Sequence, residues 1–256
     1  MTRQIIRVTG DDRLSFLQGL VTNDVTRAPC WAALLTPQGK YLADFLIVPD
    51  NDALLLDVEA RLADDLTRRL TMYKLRSKVG IEVTDMTVAR GTGPAPDGAI
   101  ADPRHPALGW RLYGGAGEDG TDFDAIRVDH IIPETLVELI PNETFILEAG
   151  FERLHGVDFR KGCYVGQEVT ARMKHKTDLR KGLARLRIEG VRVEGRGVGG
   201  ARAGGDGQAG WHVRHPVDGD VPGVRGGVAG AAGASRAVDG CAGEVAAAQP
   251  RLPGVR

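Results

Sequence analysis

The nine residues from 160 to 168 constrain this chain more than any other stretch. They read Arg-Lys-Gly-Cys-Tyr-Val-Gly-Gln-Glu and combine one thiol with cations, a carboxylate and two glycines. The following residues, 169–173, have helical character, so we predict that Cys163 lies at or just before a helix N-terminus, where unpaired N–H groups favour negative charge. Arg160 and Lys161 would lower the pKa of such a thiol further, as in nucleophilic or metal-binding cysteines. A half-buried cysteine in a turn bounded by Gly162 and Gly166 is the alternative.

Length and charge set the outer bounds on fold and function. The chain has 256 residues and a net charge of -1, which is enough for one large domain or two modest ones and gives no overall attraction to nucleic acid or membrane. The first residues lack an apolar signal segment, and no run approaches the roughly 18 apolar residues of a membrane span. We therefore expect a cytoplasmic protein without a membrane segment.

Three cysteines, Cys30, Cys163 and Cys241, lack the spacing of a metal site. We therefore expect no metal or cluster that is held by this chain alone.

Apolar periodicity predicts strands alternating with a few helices. The predicted strands are 4–8, 32–35, 41–48, 54–58, 79–83, 109–113 and 183–188. The predicted helices are one after Asp12, one over 59–72 and one over 122–130, with Phe16, Leu17 and Leu20 as the buried stripe of the first. Residues 36–39 should connect the second and third strands as a hairpin.

The chain changes character near residue 191. Residues 191–256 hold 17 of the 35 glycines, a single leucine and no Lys, Ile, Phe or Tyr. No window has the period of a strand or helix, so this segment should not bury enough apolar surface to offset its ordering entropy. Two interpretations remain open: a GC-rich gene translated out of frame, or a genuine glycine-rich disordered tail.

Residues 161–168 resemble the signature of the YgfZ-type folate-binding proteins, relatives of the T-protein (aminomethyltransferase) of the glycine cleavage system. Other stretches resemble the same family in the expected order, and they are 16–25, 37–40 with Asp44, 72–79 and 147–150. The resemblance covers roughly residues 3–188. It implies an α+β fold of mixed, largely antiparallel sheets with packed helices, in which residues 1–188 form the folate-binding region. The resemblance also implies a C-terminal β-barrel, but the sequence of residues 189–256 encodes such a barrel poorly.

The resemblance also implies a site. It assigns Glu148 to the N–H edge of the pterin ring, which a carboxylate matches with two acceptors. It places Asn23, Asp44 and Tyr73 near the folate, and it makes Cys163 the candidate reactive thiol. The signature residues are Lys161, Gly162, Cys163, Tyr164, Gly166, Gln167, Glu168 and Arg172. Lys161 and Arg172 would supply positive potential, while Gln167 and Glu168 would orient the loop.

The first function implied is a tetrahydrofolate-binding accessory protein that supports iron–sulfur cluster assembly or repair, with iron–sulfur enzymes or assembly factors as partners. The alternative is a true aminomethyltransferase. Two features disfavour it: Ala43 stands where T-proteins carry a second aspartate beside Asp44, and the signature holds a cysteine. T-proteins also have Tyr-Gly where this chain has His155-Gly156, so one wall of the folate site should differ.

The residues from 172 to 187 carry seven Lys or Arg side chains against one acid, Asp178. A solvated face is the usual explanation for such a run. Two more specific alternatives are that the run binds the polyglutamate tail of folate or docks onto an acidic protein. An RNA-associated role is a third and weaker one, because the run has no interleaved aromatic residues on which bases could stack.

Overall fold

A five-stranded antiparallel sheet forms the centre of the molecule in the computed structural model. The structure describes residues 2–176, 179, 181–188, 201–203, 209–216 and 246–247. The sheet has the strand order β2-β3-β4-β1-β5. Its strands are β1 (Arg3–Thr9), β2 (Cys30–Leu35), β3 (Tyr41–Asp50), β4 (Ala53–Glu59) and β5 (Gly80–Thr84). The predicted hairpin at 36–39 connects β2 to β3, which pair antiparallel.

The sheet is covered on both faces, so it separates two apolar cores. Successive side chains of a strand point to opposite faces, and in β1 Ile6 accordingly belongs to the first core while Ile5 belongs to the second. In β3, Phe45 and Leu46 divide in the same way. Every residue of β2 and β4 is buried, which explains why their sequences are continuous apolar runs rather than alternating ones.

Within the described residues, four α-helices pack around this sheet. They are α1 (Arg13–Gln18), α2 (Ala60–Lys74), α3 (Phe123–Asp129) and α4 (Gln167–Lys176). Helix α2 covers the first core with Ala63, Leu66 and Leu70. The predicted buried stripe of Phe16, Leu17 and Leu20 is confirmed. Asp12 does not cap α1 with its side chain, because its carboxylate accepts from the Lys78 backbone N–H instead.

A small second sheet lies beside the first and is joined to it by buried charges. It has the order β6-β8-β7, and its strands are β6 (Val88–Gly91), β7 (Ile100–Ala101) and β8 (Trp110–Tyr113). From β8, the Arg111 guanidinium donates to Asp57 of β4 and to Asp102, each at 2.9 Å. Periodicity does not reveal such a network, because its members are distant in the chain.

A third sheet of four strands has the order β10-β11-β9-β12. Its strands are β9 (Lys181–Ile188), β10 (Ala201–Ala203), β11 (Ala209–Pro216) and β12 (Ala246–Ala247). The strands β10, β11 and β12 lie within residues 191–256, whose predicted lack of a sufficient apolar core stays a prediction. Strand β11 pairs with β9 over its whole length, and backbone hydrogen bonds in an antiparallel pair do not depend on apolar periodicity. Cys241, Asp178 and the remaining residues of 191–256 lie outside the described residues.

Candidate functional site

Residues 160–166, here called the signature turn, are fixed to the end of α1 by Lys161. Its Nζ donates to the backbone carbonyls of Gln18 at 2.5 Å and Val21 at 2.6 Å. Burial lowers the pKa of Lys161 to about 8, although Asp24 and Cys30 act in the opposite direction. The amine therefore anchors the turn, whereas its place in the motif predicted that it would lower the pKa of the Cys163 thiol.

Gly166 ends the signature turn in contact with the β2–β3 hairpin. Its backbone has φ +83°, and a Cβ at this position would lie 2.6 Å from the Thr36 carbonyl oxygen. The facing hairpin glycine, Gly39, has φ +75°, and its Cβ would lie 2.9 Å from the Val169 side chain. Two glycines thus permit close packing between motifs that are more than a hundred residues apart.

Cys163 is exposed on this turn. Helix α4 begins at Gln167, so Tyr164 to Gly166 separate the thiol from the helix N-terminus. The preceding Gly162 has φ +102°, and a Cβ added there would meet no atom within 4 Å, so the loop around the thiol is open. Cys30 differs in every respect: it is buried, and burial raises its pKa to about 12. Between these two, Cys163 is the thiol that an external reagent or partner can reach.

The other signature residues stabilise the turn or face solvent. Tyr164 is buried in the second core, and burial raises the pKa of its hydroxyl to about 12. Gln167 donates its backbone N–H to the Tyr164 carbonyl oxygen. Glu168 and Arg172 form an ion pair of 2.8 Å on the exposed face of α4. The predicted roles of Glu168 in orienting the loop and of Arg172 in supplying positive potential therefore differ from the structure, because the two charges neutralise each other in solvent.

A cavity of about 660 Å³ lies directly beside the signature turn and is here called the signature cavity. Its walls include Asn23, Trp31, His155, Phe159, Arg160 and Lys174. They come from the loop after α1, from β2, from the segment before the turn and from α4. The fold therefore joins one signature residue, Arg160, and one residue of the basic run, Lys174, at a single concave surface.

Polar contacts hold one wall of this cavity in place. The Asn23 Nδ2 donates to the backbone carbonyls of Trp31 at 2.7 Å and His155 at 2.6 Å. The Trp31 ring stacks on Phe151 with centroids 3.9 Å apart. Asn23 thus uses its amide donors within the protein and supports the cavity wall, while its predicted place near folate stays a prediction.

The rim of the signature cavity is basic but partly neutralised. Lys174 pairs with Glu152, and Arg27 lies 3.5 Å from Asp158. Arg160 forms no side-chain ion pair among the described residues, and Asp158 accepts its backbone N–H at 2.7 Å. The Arg160 guanidinium is therefore the rim cation that is open to an acidic group.

Asp44 has a different environment from the one predicted. Its carboxylate is buried and accepts from Trp31 Nε1 at 2.9 Å, from the Tyr41 hydroxyl at 2.7 Å and from the Thr135 hydroxyl at 2.7 Å. Both carboxylate oxygens therefore already have protein donors. Asp44 therefore has an internal role, whereas the family resemblance implied a place near folate.

Glu148 and Tyr73 lie outside the walls of the signature cavity. Glu148 is half-buried between Leu147 and Ala149, which belong to the second core. Its carboxylate forms no hydrogen bond or ion pair with the residues that the structure describes. Tyr73 lies on the last turn of α2 with 39% of its surface exposed. A half-buried carboxylate without a protein partner retains its acceptors for a ligand, whereas Tyr73 has no such feature.

Sequence reasoning missed the aromatic walls of the cavity. Trp31 occurs in an apolar strand, and no local pattern distinguishes it from a core residue. Phe159 lies just before the signature and packs edge-on against His175, with ring centroids 6.2 Å apart. The alternation of side chains in β2 and the helical spacing in α4 do not reveal that Trp31 and His175 line the same cavity. Only the tertiary packing brings them together.

Metal ligands do not cluster within the part of the chain that the structure describes. No group of three or more His, Cys, Asp or Glu side chains there could hold a metal ion. In the same described ranges, no helix has the length and apolar character needed to cross a bilayer.

The fold is that of the glycine cleavage T-proteins. The solved structure of aminomethyltransferase T of the glycine cleavage system from Bartonella henselae is similar with a TM-score of 0.64, and the match covers 86% of this chain and 77% of that chain. At 13% identity this similarity concerns the fold alone. The predicted α+β fold with largely antiparallel sheets is confirmed.

The similarities in sequence point to a narrower class of proteins than the similarity in fold. The mitochondrial iron-sulfur cluster assembly factor IBA57 of Mus musculus is 30% identical over 234 residues, which cover 73% of this chain and 65% of the mouse protein. The corresponding homologue of Mycosarcoma maydis is 34% identical over 223 residues, which cover 72% of this chain and 55% of that protein. The human factor is 30% identical over 229 residues, with 73% and 64% covered. No model of a known protein family matches the chain.

The predicted resemblance to the YgfZ-type, T-protein-related family is confirmed, because the sequence relatives are iron–sulfur cluster assembly factors and the similar solved structure is a T-protein. The chain spans between half and two thirds of the length of the curated relatives. The expectation of a cytoplasmic protein is wrong, because the fungal and mammalian relatives are mitochondrial proteins.

Proposed function

We propose that this chain is an accessory factor for iron–sulfur cluster assembly and that Cys163 is its working thiol. The relatives that support this proposal are iron-sulfur cluster assembly factors. The observation that carries it is the exposure of Cys163 on a turn that Lys161 and Gly166 fix to the rest of the fold. A fixed and accessible thiol can bind iron as a thiolate or attack another sulfur.

The surroundings of the thiol favour a protein partner. A single accessible cysteine supplies one of the four ligands that an iron–sulfur cluster commonly takes. Within the described part of the chain, no other metal-ligating side chains cluster to complete such a set. We therefore propose that the remaining ligands come from another protein and that the cluster is cargo or substrate rather than a resident group. Arg160 next to the signature cavity would attract an acidic side chain of that partner.

We further propose that tetrahydrofolate binds the chain through Glu148. The half-buried carboxylate has no protein partner among the described residues, and it matches a donor edge such as the pterin N–H groups. Asp44 does not enter this proposal, because Trp31, Tyr41 and Thr135 already donate to it. The same three contacts disfavour the aminomethyltransferase alternative, since that reaction needs a carboxylate free to handle a proton on folate.

The test replaces the native gene with one encoding Cys163→Ala and measures the activity of an iron–sulfur enzyme per amount of its protein. We expect activity to fall at least about fivefold, while Cys30→Ala, the matched control at a buried thiol, retains it. Alkylation mapped by mass spectrometry on the purified wild-type chain should modify Cys163 and spare Cys30. Full iron–sulfur enzyme activity in the Cys163→Ala strain would contradict the proposal.

A second assay separates this function from aminomethyl transfer. The purified chain is incubated with tetrahydrofolate and an aminomethylated lipoyl carrier, and released ammonia is measured. We expect no release above the rate without protein. Release at a catalytic rate would replace the accessory function with the enzymatic one.

A further inference from the structure

A second cavity, of about 950 Å³, lies at the junction of β4 and α2, opposite the start of α3. We call it the acidic cavity. Its walls include Glu59, Arg61, Arg90, Glu118, Phe123 and Glu134. It shares no wall residue with the signature cavity, so neither of the functions proposed above assigns it a role.

Glu59 is the residue that distinguishes this cavity from an ordinary surface cleft. It occupies the N-cap position of α2, but its side chain does not cap the helix. Oε1 accepts from Arg61 Nε at 2.7 Å. Oε2 is buried and has no hydrogen-bond partner, and only 2% of the residue is exposed. A buried acceptor without a donor is costly and uncommon, so this oxygen favours a donor supplied from the cavity.

The arginines of the cavity wall do not donate to this oxygen, because each already has another acceptor. Arg61 already donates to the other Glu59 oxygen, and Arg90 pairs with Glu118 at 2.7 Å and lies over the Phe123 ring. Arg127 pairs with Asp124 at 3.1 Å and with Glu138 at 3.2 Å, and it lies 3.9 Å from Glu134. Five carboxylates line the cavity against these three guanidinium groups. The wall is therefore acidic on balance and favours a cationic ligand.

The chemistry of the wall narrows the ligand to an organic cation. No cluster of three metal-ligating side chains occurs in the described part of the chain, so the wall does not provide a metal site. An ammonium group carries three donors and one positive charge, and the Phe123 ring with the Val137 and Ala60 side chains offers apolar surface to a methylene chain.

We propose that the acidic cavity binds the ammonium group of an aliphatic amine and that Glu59 Oε2 accepts one of its hydrogen bonds. The amine is either a free diamine or the lysine side chain of a partner protein, since both present the same group on a methylene stem.

The test is isothermal titration calorimetry of the full chain with two probes, putrescine and the peptide acetyl-Gly-Lys-Gly-amide. The variants are Glu59→Gln, which removes the charge with little change of shape, and Glu134→Gln, a partly exposed wall carboxylate. Glu82→Gln is the matched control, because Glu82 is exposed on β5 and lies outside the cavity. Circular dichroism of each variant verifies that it is folded.

We expect saturable binding of at least one probe by the wild type. Its affinity should fall about tenfold or more in Glu59→Gln, the range for a hydrogen bond to a charged group, fall less in Glu134→Gln and remain unchanged in Glu82→Gln. Tighter binding of putrescine would identify a free amine as the ligand, and tighter binding of the peptide a lysine side chain. Absence of binding by both probes, or equal loss in the control variant, would overturn the proposal. Should Glu59→Gln not fold, an unchanged affinity in Glu134→Gln would overturn it as well.

Discussion

At the scale of single residues, the partner of a charge decides its role. Asp44 and Glu148 are both carboxylates that the family resemblance places at a folate site. Asp44 accepts from three protein donors and is thereby part of the interior. Glu148 has no partner among the described residues and keeps its acceptors. Lys161 illustrates the same point for a cation, since two backbone carbonyls use its ammonium donors.

Glu148→Gln should weaken tetrahydrofolate binding by about 1.5 to 3 kcal/mol, because the amide loses the charge that strengthens hydrogen bonds from the pterin. Calorimetric titration of the full chain with tetrahydrofolate measures the change. Glu143→Gln serves as the control, since Glu143 is exposed and lies five residues earlier. Equal affinity of the Glu148→Gln variant and the wild type would remove Glu148 from the binding site.

At the scale of elements, the signature turn and the β2–β3 hairpin form one packed unit. Gly166 and Gly39 adopt left-handed backbone conformations and face each other's elements at distances that leave no room for a side chain. Gly162 adopts a left-handed conformation too, but it faces open space. Gly166 is therefore needed for both its backbone conformation and its close packing, whereas Gly162 is needed for its backbone conformation alone.

Gly166→Ala should lower the free energy of unfolding by about 2 to 4 kcal/mol, because backbone strain of about 1 kcal/mol adds to a clash with the Thr36 carbonyl. Gly162→Ala should lower it by about 1 kcal/mol, since only the strain applies. Urea unfolding of both variants measures the difference. Equal losses in the two variants would show that the turn does not pack tightly against the hairpin.

At the scale of the whole molecule, buried charges join the central sheet to the small second sheet. Asp57 lies in β4, the middle strand, and accepts from Arg3 at 2.6 Å, from Arg111 at 2.9 Å and from the Tyr113 hydroxyl at 3.0 Å. Burial by itself would raise the pKa of Asp57, but Arg3 and Arg111 hold it below its ordinary value. The carboxylate is therefore charged in the folded protein and connects two layers of the fold.

Asp57→Asn should lower the free energy of unfolding by about 3 kcal/mol, because it leaves buried guanidinium groups without their counter-charge. Asp65→Asn is the control at a partly exposed ion pair on α2 and should change it by less than about 1 kcal/mol. Denaturant unfolding at neutral pH measures both effects. A loss no larger than that of the control would contradict the proposed link between the sheets.

The sign of the pH dependence follows from the same shift. The folded pKa of Asp57 lies below the ordinary value of 3.8, so its contribution is fully present above that value. It is lost as the pH falls further, through the folded pKa. The wild type should therefore lose this stability only below about pH 4. The free energy of unfolding of the Asp57→Asn variant should not show this loss as the pH is lowered.

Much of the central architecture was predictable from local patterns. The runs at 32–35, 41–48 and 54–58 became β2, β3 and β4, because continuous apolar residues of that length fit a strand buried on both faces. The signature cavity was not predictable in the same way. Its wall brings Asn23, Trp31 and Lys174 together across a large separation in the chain, and local periodicity carries no information about such contacts.

The sequence by itself determined the strands of the central sheet, the buried stripe of α1 and the family, since these depend on residue order within short windows. It also marked Cys163 as the notable thiol. Only the tertiary structure decided that Lys161 anchors the turn, that Asp44 lies in the interior and that one Glu59 oxygen is buried without a hydrogen-bond partner. The physical reason is that the role of a polar group depends on which donors and acceptors surround it, and packing sets those neighbours.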